Sequence, residues 1–200
     1  MYRESLALFT RLQDEWGRGS ALRALAGLAA EQGDGAAALA LYEESVLFFR
    51  LTGDTRGLAQ ALLAYGKLAL RAGRIADARR ILSEGVARWR EVGISGGIVR
   101  CLLALGGVAA AEGDSERAAR LYGAVATHAR AHGVSFGERD EVERQSSMSE
   151  VRRLLGSEAF STAWAAGQAT SLDEVIEEAL GAADAYPPLV SRYLGFRGSY

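Results

Sequence analysis

The sequence predicts an all-α fold in which antiparallel helix pairs are stacked one after another. Of the 200 residues, 49% are hydrophobic and only two are prolines, and alanine and leucine dominate, which is a helix-forming composition. Apolar residues fall at helical spacing through most of the chain. The stretch EQGDGAAALALYEES at 31–45 also recurs in altered form at 71–84 and 111–124, which indicates a repeat of 40 residues.

Glycines divide each repeat into two helices, A and B. Three glycine series share the 40-residue spacing: Gly33, Gly73 and Gly113; Gly53, Gly93 and Gly133; and Gly17, Gly57 and Gly97. Glycine after a helix accepts the left-handed conformation, so each series is expected to mark a point where a helix stops and reverses. The expected helices are 2–13, 17–32, 36–52, 57–72, 76–92, 97–112 and 116–132.

The A helices repeat one apolar face. Its members are Ala21, Leu22, Leu25, Leu28 and Ala29, then Ala61, Leu62, Tyr65, Leu68 and Ala69, then Cys101, Leu102, Leu105, Val108 and Ala109. Small residues recur where helices are expected to cross closely, namely Ala26, Gly66 and Gly106 in helix A and Ala38, Ala78 and Ala118 in helix B. Coincidence in an alanine-rich chain is the alternative, and several series in one register argue against it.

The 40-residue pattern ends at Gly133, so the chain divides into repeats at 1–133, a helical cap at 134–181 and an apolar tail at 182–200. The expected helices of the cap are 138–155, 158–167 and 172–180. The first is predicted to turn Val142, Met148, Val151 and Leu155 inward, and the cap is predicted to bury Phe160, Trp164 and Ile176.

Two further features belong to this C-terminal part. Ser157 and Ser171 are expected to cap the last two helices, and Ser171 forms a capping box with Glu174. The adjacent prolines at 187 and 188 exclude a helix in the tail. The tail is either a loose terminus or a segment that docks on a groove.

The repeat positions carry a family resemblance. The pattern of small residues, together with the large residues Leu22, Leu25, Tyr42, Leu62, Leu102 and Tyr122, resembles the tetratricopeptide repeat. The resemblance is to a long variety, since Arg50 and Arg90 stand where the usual unit of about 34 residues ends helix B with proline. Leucine also replaces the signature tryptophan. This resemblance implies a superhelical solenoid.

A second resemblance covers residues 110–181. RAARLYGA at 117–124, followed by a helix and then LGSEAFSTAWAAGQATSLDEVIEEAL, resembles the C-terminal end of the tetratricopeptide region in large bacterial ATPase regulators, including LuxR-type transcriptional activators. It implies a regulatory, sensing or scaffolding arm in signalling or transcription regulation. The chain has no phosphate-loop motif, and the 20 residues after Leu180 are too few for a helix-turn-helix domain.

Composition argues against several other functions. The formal net charge of −2, with interleaved signs, provides no attraction for nucleic acid or an anionic membrane. The single Cys101, the lack of a signal peptide and the lack of a long uncharged apolar stretch predict a cytoplasmic protein. His128 and His132 share a helix face, but surface histidines are the favoured interpretation over metal ligands. No catalytic set, metal site or cofactor is expected, so an enzyme is not predicted.

A ligand is expected on the concave face of the A helices. The candidate residues are Arg23, Gln60, Leu63, Lys67, Arg71, Arg100 and Leu103. The cations are suited to an acidic peptide segment or carboxylate, with the two leucines as apolar anchors. The alternative interpretation of these residues is that they are ordinary solvated helix positions.

The leading hypothesis for the function is a non-enzymatic protein-binding regulatory module, and the alternative function is a small-molecule effector sensor within the groove. Tyr65 is the sole aromatic residue of the three full A helices and lies on their packing face, which favours the first.

The N-terminal end is expected to expose apolar side chains. YRESLALFTRL at 2–12 aligns with YEESVLFFRLT at 42–52, so the chain starts inside a repeat and is expected to be part of something longer. The apolar residues expected at this end are Leu6, Leu8, Phe9, Leu12 and Trp16. A homodimer through the N-terminal helix would cover them. The alternative cover is the tail around Tyr193 and Phe196.

Overall fold

The computed structural model describes residues 2–181, and this part of the chain is all-helical. Its elements are α1 (Tyr2–Arg11), α2 (Glu15–Glu31), α3 (Gly35–Thr52), α4 (Thr55–Arg71), α5 (Ile75–Val92), α6 (Ser95–Ala111), α7 (Ser115–Ala131), α8 (Glu138–Leu155), α9 (Ser157–Ala169) and α10 (Leu172–Gly181). Each of the ten expected helices is present, and the first seven agree with the expected bounds to within two residues. The apolar tail at 182–200 lies outside the described residues.

From α1 to α9, consecutive helices pack against each other through short turns. The most extensive packing joins α2 to α3, α4 to α5 and α7 to α9. The turns after α2 and α3 contain Gly33 and Gly53 at φ values of 83° and 69°, a left-handed conformation that favours glycine. The Asp34 carboxylate then accepts a hydrogen bond of 3.0 Å from the Ala37 amide and caps α3. Two of the three glycine series are therefore confirmed as helix-reversing turns.

The third glycine series has a different role. Gly17, Gly57 and Gly97 lie inside the first turns of α2, α4 and α6, and none has positive φ. The prediction that they end helices is wrong. Aromatic rings on the preceding helices lie against them, so a Cβ at Gly57 would be 2.6 Å from Phe49 Cδ1. Trp89 covers Gly97 in the same way, and these glycines therefore admit rings that a larger residue would exclude.

The buried face of the A helices is complete in the middle of the chain and weaker at its start. All of the predicted face residues of α4 and α6 are buried, and Leu62 and Leu102 have no exposed surface. In α2, Ala21 and Leu22 are buried but Leu25 is half-buried and Leu28 is 39% exposed. The shorter α1 is the helix that precedes α2, and it leaves part of this face uncovered.

Apolar side chains are exposed on and near α1. Leu8, Leu12 and Trp16 are 54%, 73% and 55% exposed, as expected. Leu6 and Phe9 are half-buried, and Phe9 lies against Gly17. Association through this end remains a prediction. None of the described helices has the length and apolar character required to cross a bilayer.

The C-terminal helices pack back on the preceding ones. Helix α9 lies on α7 at very close approach, because a Cβ at Gly167 would lie well inside 3.0 Å of the Arg120 carbonyl. Helix α10 contacts α5, α6 and α7. Phe160 and Ile176 are each 2% exposed, as predicted, and Trp164 is half-buried.

Three local predictions for this region have different outcomes. The Ser171 hydroxyl donates to Glu174 Oε2 at 2.7 Å, and the Glu174 amide donates back to Ser171 Oγ at 3.3 Å, which confirms the capping box. Ser157 is not a cap, because it is the first residue of α9 and makes no capping hydrogen bond there. Val142 is 61% exposed and not inward, whereas Val151 is buried and Met148 is half-buried.

Candidate ligand-binding site

Helix α8 lies beside the helix array and encloses a cavity with it. It packs on α6 and α7 and forms ion pairs with α4. The resulting α8 cavity has a volume of about 410 Å³. Its lining residues are Lys67, Leu70, Arg71, Arg100, Leu103, Ala104, Gly107, Tyr122, Arg139, Asp140, Glu143, Arg144 and Ser147.

Helical spacing explains how each element contributes a whole face. On α4 the lining positions are 67, 70 and 71, and on α6 they are 100, 103, 104 and 107. Residues three or four apart lie on one face of a helix, so these two faces form the floor. The lining positions of α8 are 139, 140, 143, 144 and 147, which follow the same spacing. This face of α8 therefore forms the opposite wall.

Four of the seven candidate residues meet at this cavity. Lys67, Arg71, Arg100 and Leu103 line it, whereas Arg23, Gln60 and Leu63 do not. Arg23 lies on α2, further along the array, and its Nε is buried without a hydrogen-bond partner among the described residues.

Arg23 is nevertheless close enough to act on the same group as Arg71. Burial raises the pKa of the Tyr42 phenol, and the charges of Arg23 and Arg71 oppose that rise. The charge of Glu31 adds to the rise, so charges of both signs act on the Tyr42 phenol beside the cavity.

Carboxylates of α8 already occupy part of the cationic surface. Lys67 Nζ pairs with Asp140 Oδ1, and Arg71 Nε donates to Glu143 Oε1 at 2.9 Å. Arg71 Nη2 is also 3.8 Å from Asp140 Oδ1. Glu143 Oε1 accepts a further hydrogen bond of 3.2 Å from Arg139 Nε. Two carboxylates thus pair with three cations. Because these side chains are partly exposed, each ion pair stabilises the fold only modestly.

Arg100 is the cation of the cavity without such a partner. It is half-buried, and it makes no ion pair or hydrogen bond within residues 2–181. Arg144 is paired, since its Nε donates to Glu141 Oε2 at 3.0 Å, and this hydrogen bond lowers the pKa of the Glu141 carboxyl. Five cations and two carboxylates line the cavity, and Glu141 beside the lining pairs with Arg144, which leaves a formal surplus of +2. Such a surplus attracts anions.

The floor of the cavity is apolar. Its lining includes Leu70, Leu103, Ala104 and Gly107, with Tyr122 at the base. Tyr122 Oη donates to Ser147 Oγ at 2.7 Å, which joins α7 to α8. Burial raises the pKa of the Tyr122 phenol, so it is neutral at physiological pH. The site therefore combines a cationic rim, an apolar floor and neutral hydroxyl groups.

The other chemically interesting side chains do not form a site. His128 Nε2 is 3.0 Å from the Thr170 carbonyl oxygen, so it connects α7 to the turn after α9. Its ring stacks on His132 with centroids 6.4 Å apart. No cluster of three metal-ligating side chains is found over residues 2–181. Burial raises the pKa of the Cys101 thiol, which keeps it protonated.

The α8 wall is the part of the site that sequence reasoning missed. Asp140, Glu143 and Arg144 belong to a helix for which only four apolar side chains were predicted to face inward. The available signal was the dense charge of ERDEVER at 138–144, directly after the repeats. Comparisons of the chain with protein-family models, curated proteins and solved structures found no match.

Proposed function

We propose that this chain is a non-enzymatic regulatory module that binds an acidic segment of a protein partner. The resemblance of residues 1–133 to tetratricopeptide repeats, and of 110–181 to the C-terminal region of bacterial ATPase and LuxR-type regulators, supports a superhelical solenoid with a helical cap in signalling or transcription regulation. Repeated helix pairs with glycine turns at 40-residue spacing are consistent with that class. In this proposal the module works in the cytoplasm and contacts neither nucleic acid nor membrane.

The pairing of α4 with α8 is the observation that carries the proposal. Lys67 and Arg71 hold the carboxylates of Asp140 and Glu143, which are three positions apart on a helix. A partner helix with acidic residues at the same spacing has the chemistry to replace them. The native α8 then competes with the partner, and the apparent affinity depends on how often these two cations are free.

A labelled peptide tests this competition. The peptide carries the sequence of residues 138–155, and its control carries Asn and Gln in place of every Asp and Glu. We expect the acidic peptide to bind the Asp140→Asn/Glu143→Gln variant about tenfold more tightly than the wild type, because neutralising α8 frees the α4 cations. Adding Lys67→Gln and Arg71→Gln to this variant should abolish the gain in affinity. Equal binding to all three proteins, or equal binding of the control peptide, contradicts the proposal.

Effector sensing is the second candidate function, and the α8 cavity is the observation that favours it. A volume of about 410 Å³ is within the range of small-molecule sites. The cavity is also formed between the array and α8, so a ligand there contacts both. A molecule that binds one arrangement of α8 better than another would shift the population of the two.

A further inference from the structure

We infer that the α8 cavity binds a small organic anion, consisting of a carboxylate or phosphate group on a flat apolar body, with Arg100 as its main anchor. This inference rests on the second candidate function and specifies its ligand. It does not depend on the peptide proposal, because Arg100 makes no contact with the α8 carboxylates.

The electrostatics of the cavity select an anion. Asp140 and Glu143 together neutralise Lys67, Arg71 and Arg139 only in part. Arg100 has no carboxylate partner within residues 2–181, although it lines the same half-enclosed space. An unpaired guanidinium in a partly desolvated site is a strong donor to carboxylate or phosphate, which it can bind through two hydrogen bonds.

A second donor faces the same space. The Ser147 hydroxyl accepts the hydrogen bond of Tyr122, and its own hydrogen has no acceptor within the described part of the chain. It is therefore free to donate to an oxygen of the ligand. Arg100 on α6 and Ser147 on α8 would hold the anionic group from opposite walls.

The apolar floor of the cavity favours a ligand with an apolar body. Gly107 lies between Leu70 and Tyr122, and a Cβ placed there would be 3.0 Å from Leu70 Cδ2 and 3.9 Å from Tyr122 Oη. Leu70 therefore packs closely on Gly107, and together with Leu103 and Ala104 it forms a continuous apolar floor. A flat aromatic or alicyclic body covers this floor better than a bare inorganic anion does, because it removes apolar surface from water.

A matched set of probes tests the ligand class by isothermal titration calorimetry on the full chain. The anionic probes are 2-naphthoate and 2-naphthyl phosphate, which show whether the site prefers a carboxylate or a phosphate group. The neutral probe is 2-naphthamide, and the bare anions are acetate and inorganic phosphate. We expect at least one naphthyl anion to bind about tenfold or more tightly than both 2-naphthamide and the corresponding bare anion. If neither naphthyl anion binds at millimolar concentration, or 2-naphthamide binds equally well, the inference is wrong.

Two substitutions locate the binding. Arg100→Gln should weaken binding of the naphthyl anion by about tenfold or more, as expected for loss of a charge-assisted hydrogen bond. The control Arg56→Gln removes an exposed arginine outside the cavity and should have no effect. Gly107→Leu should block the naphthyl body, with circular dichroism and thermal unfolding confirming that the variant folds. Unchanged affinity in Arg100→Gln would show that Arg100 is not the anchor, and unchanged affinity in Gly107→Leu would place the ligand elsewhere, so either result overturns the inference. Binding of the acidic peptide without binding of these probes would leave the protein-partner proposal intact.

Discussion

Lys67 on α4 and Asp140 on α8 form an ion pair at the edge of the α8 cavity. The pair connects the repeated part of the chain with the first helix that departs from the repeat. It also explains why the cavity has an uneven charge, because the two α8 carboxylates pair with Lys67 and Arg71, whereas Arg100 has no partner among the described residues. Changes to α8 are therefore expected to act on the cationic face of α4 and α6.

The first prediction concerns this ion pair. A double-mutant cycle with Lys67→Met and Asp140→Asn should show a coupling free energy of about 0.2–1 kcal/mol in urea unfolding, which is typical of partly exposed pairs. The coupling should fall as salt concentration rises. A coupling of zero at low salt would mean that α8 does not hold this position in solution.

The second prediction concerns the aromatic rings that lie over helix glycines. Gly97→Ala should reduce the free energy of unfolding by about 1–3 kcal/mol, because the new Cβ would overlap the Trp89 ring. Gly35→Ala is the matched control, since Gly35 is also near a helix start but has no atom within 4 Å of its Cβ position. Chemical denaturation of both variants measures the difference. Equal stability of the two would contradict the close packing of Trp89 on α6.

The third prediction concerns the docking of the C-terminal helices. Gly167→Leu should separate α9 from α7, because a side chain there would meet the Arg120 carbonyl. Hydrogen exchange followed by mass spectrometry should show loss of protection in 157–181, with 55–92 less affected. Protection unchanged from the wild type in 157–181 would show that α9 does not pack on α7 through this glycine.

The fourth prediction concerns the pH dependence of the α10 capping box. The hydrogen bond from the Ser171 hydroxyl, and then that from its amide, lowers the pKa of the Glu174 carboxyl. A lowered folded-state pKa means that the contribution to stability is present above the ordinary pKa of glutamate and is lost as pH falls through the folded value. NMR titration of Glu174 should show its pKa move up towards the ordinary value in Ser171→Ala. An identical titration in both proteins would exclude the box.

Some features of the site were predictable and others were not. Lys67, Arg71, Arg100 and Leu103 were identified because they recur at equivalent positions of the A helices. Tyr122 was recognised as a repeat position, but its contact with Ser147 was not expected. The contacts that the sequence did not indicate join α8 to other helices, namely to Lys67 and Arg71 on α4 and to Tyr122 on α7.

The sequence by itself determined the helices and their turns. Apolar periodicity, glycine at the turns and the Ser171–Glu174 capping box act within a few neighbouring residues, so the chain alone specifies them. The tertiary structure alone decided the direction of α8 and hence the composition of the cavity. That direction accompanies the burial of Val151, the hydroxyl pair of Tyr122 and Ser147 and the ion pairs with α4, which are contacts between different helices. Because such contacts depend on how the helices pack on one another, local patterns cannot show which cation obtains a carboxylate within residues 2–181 and which, like Arg100, does not.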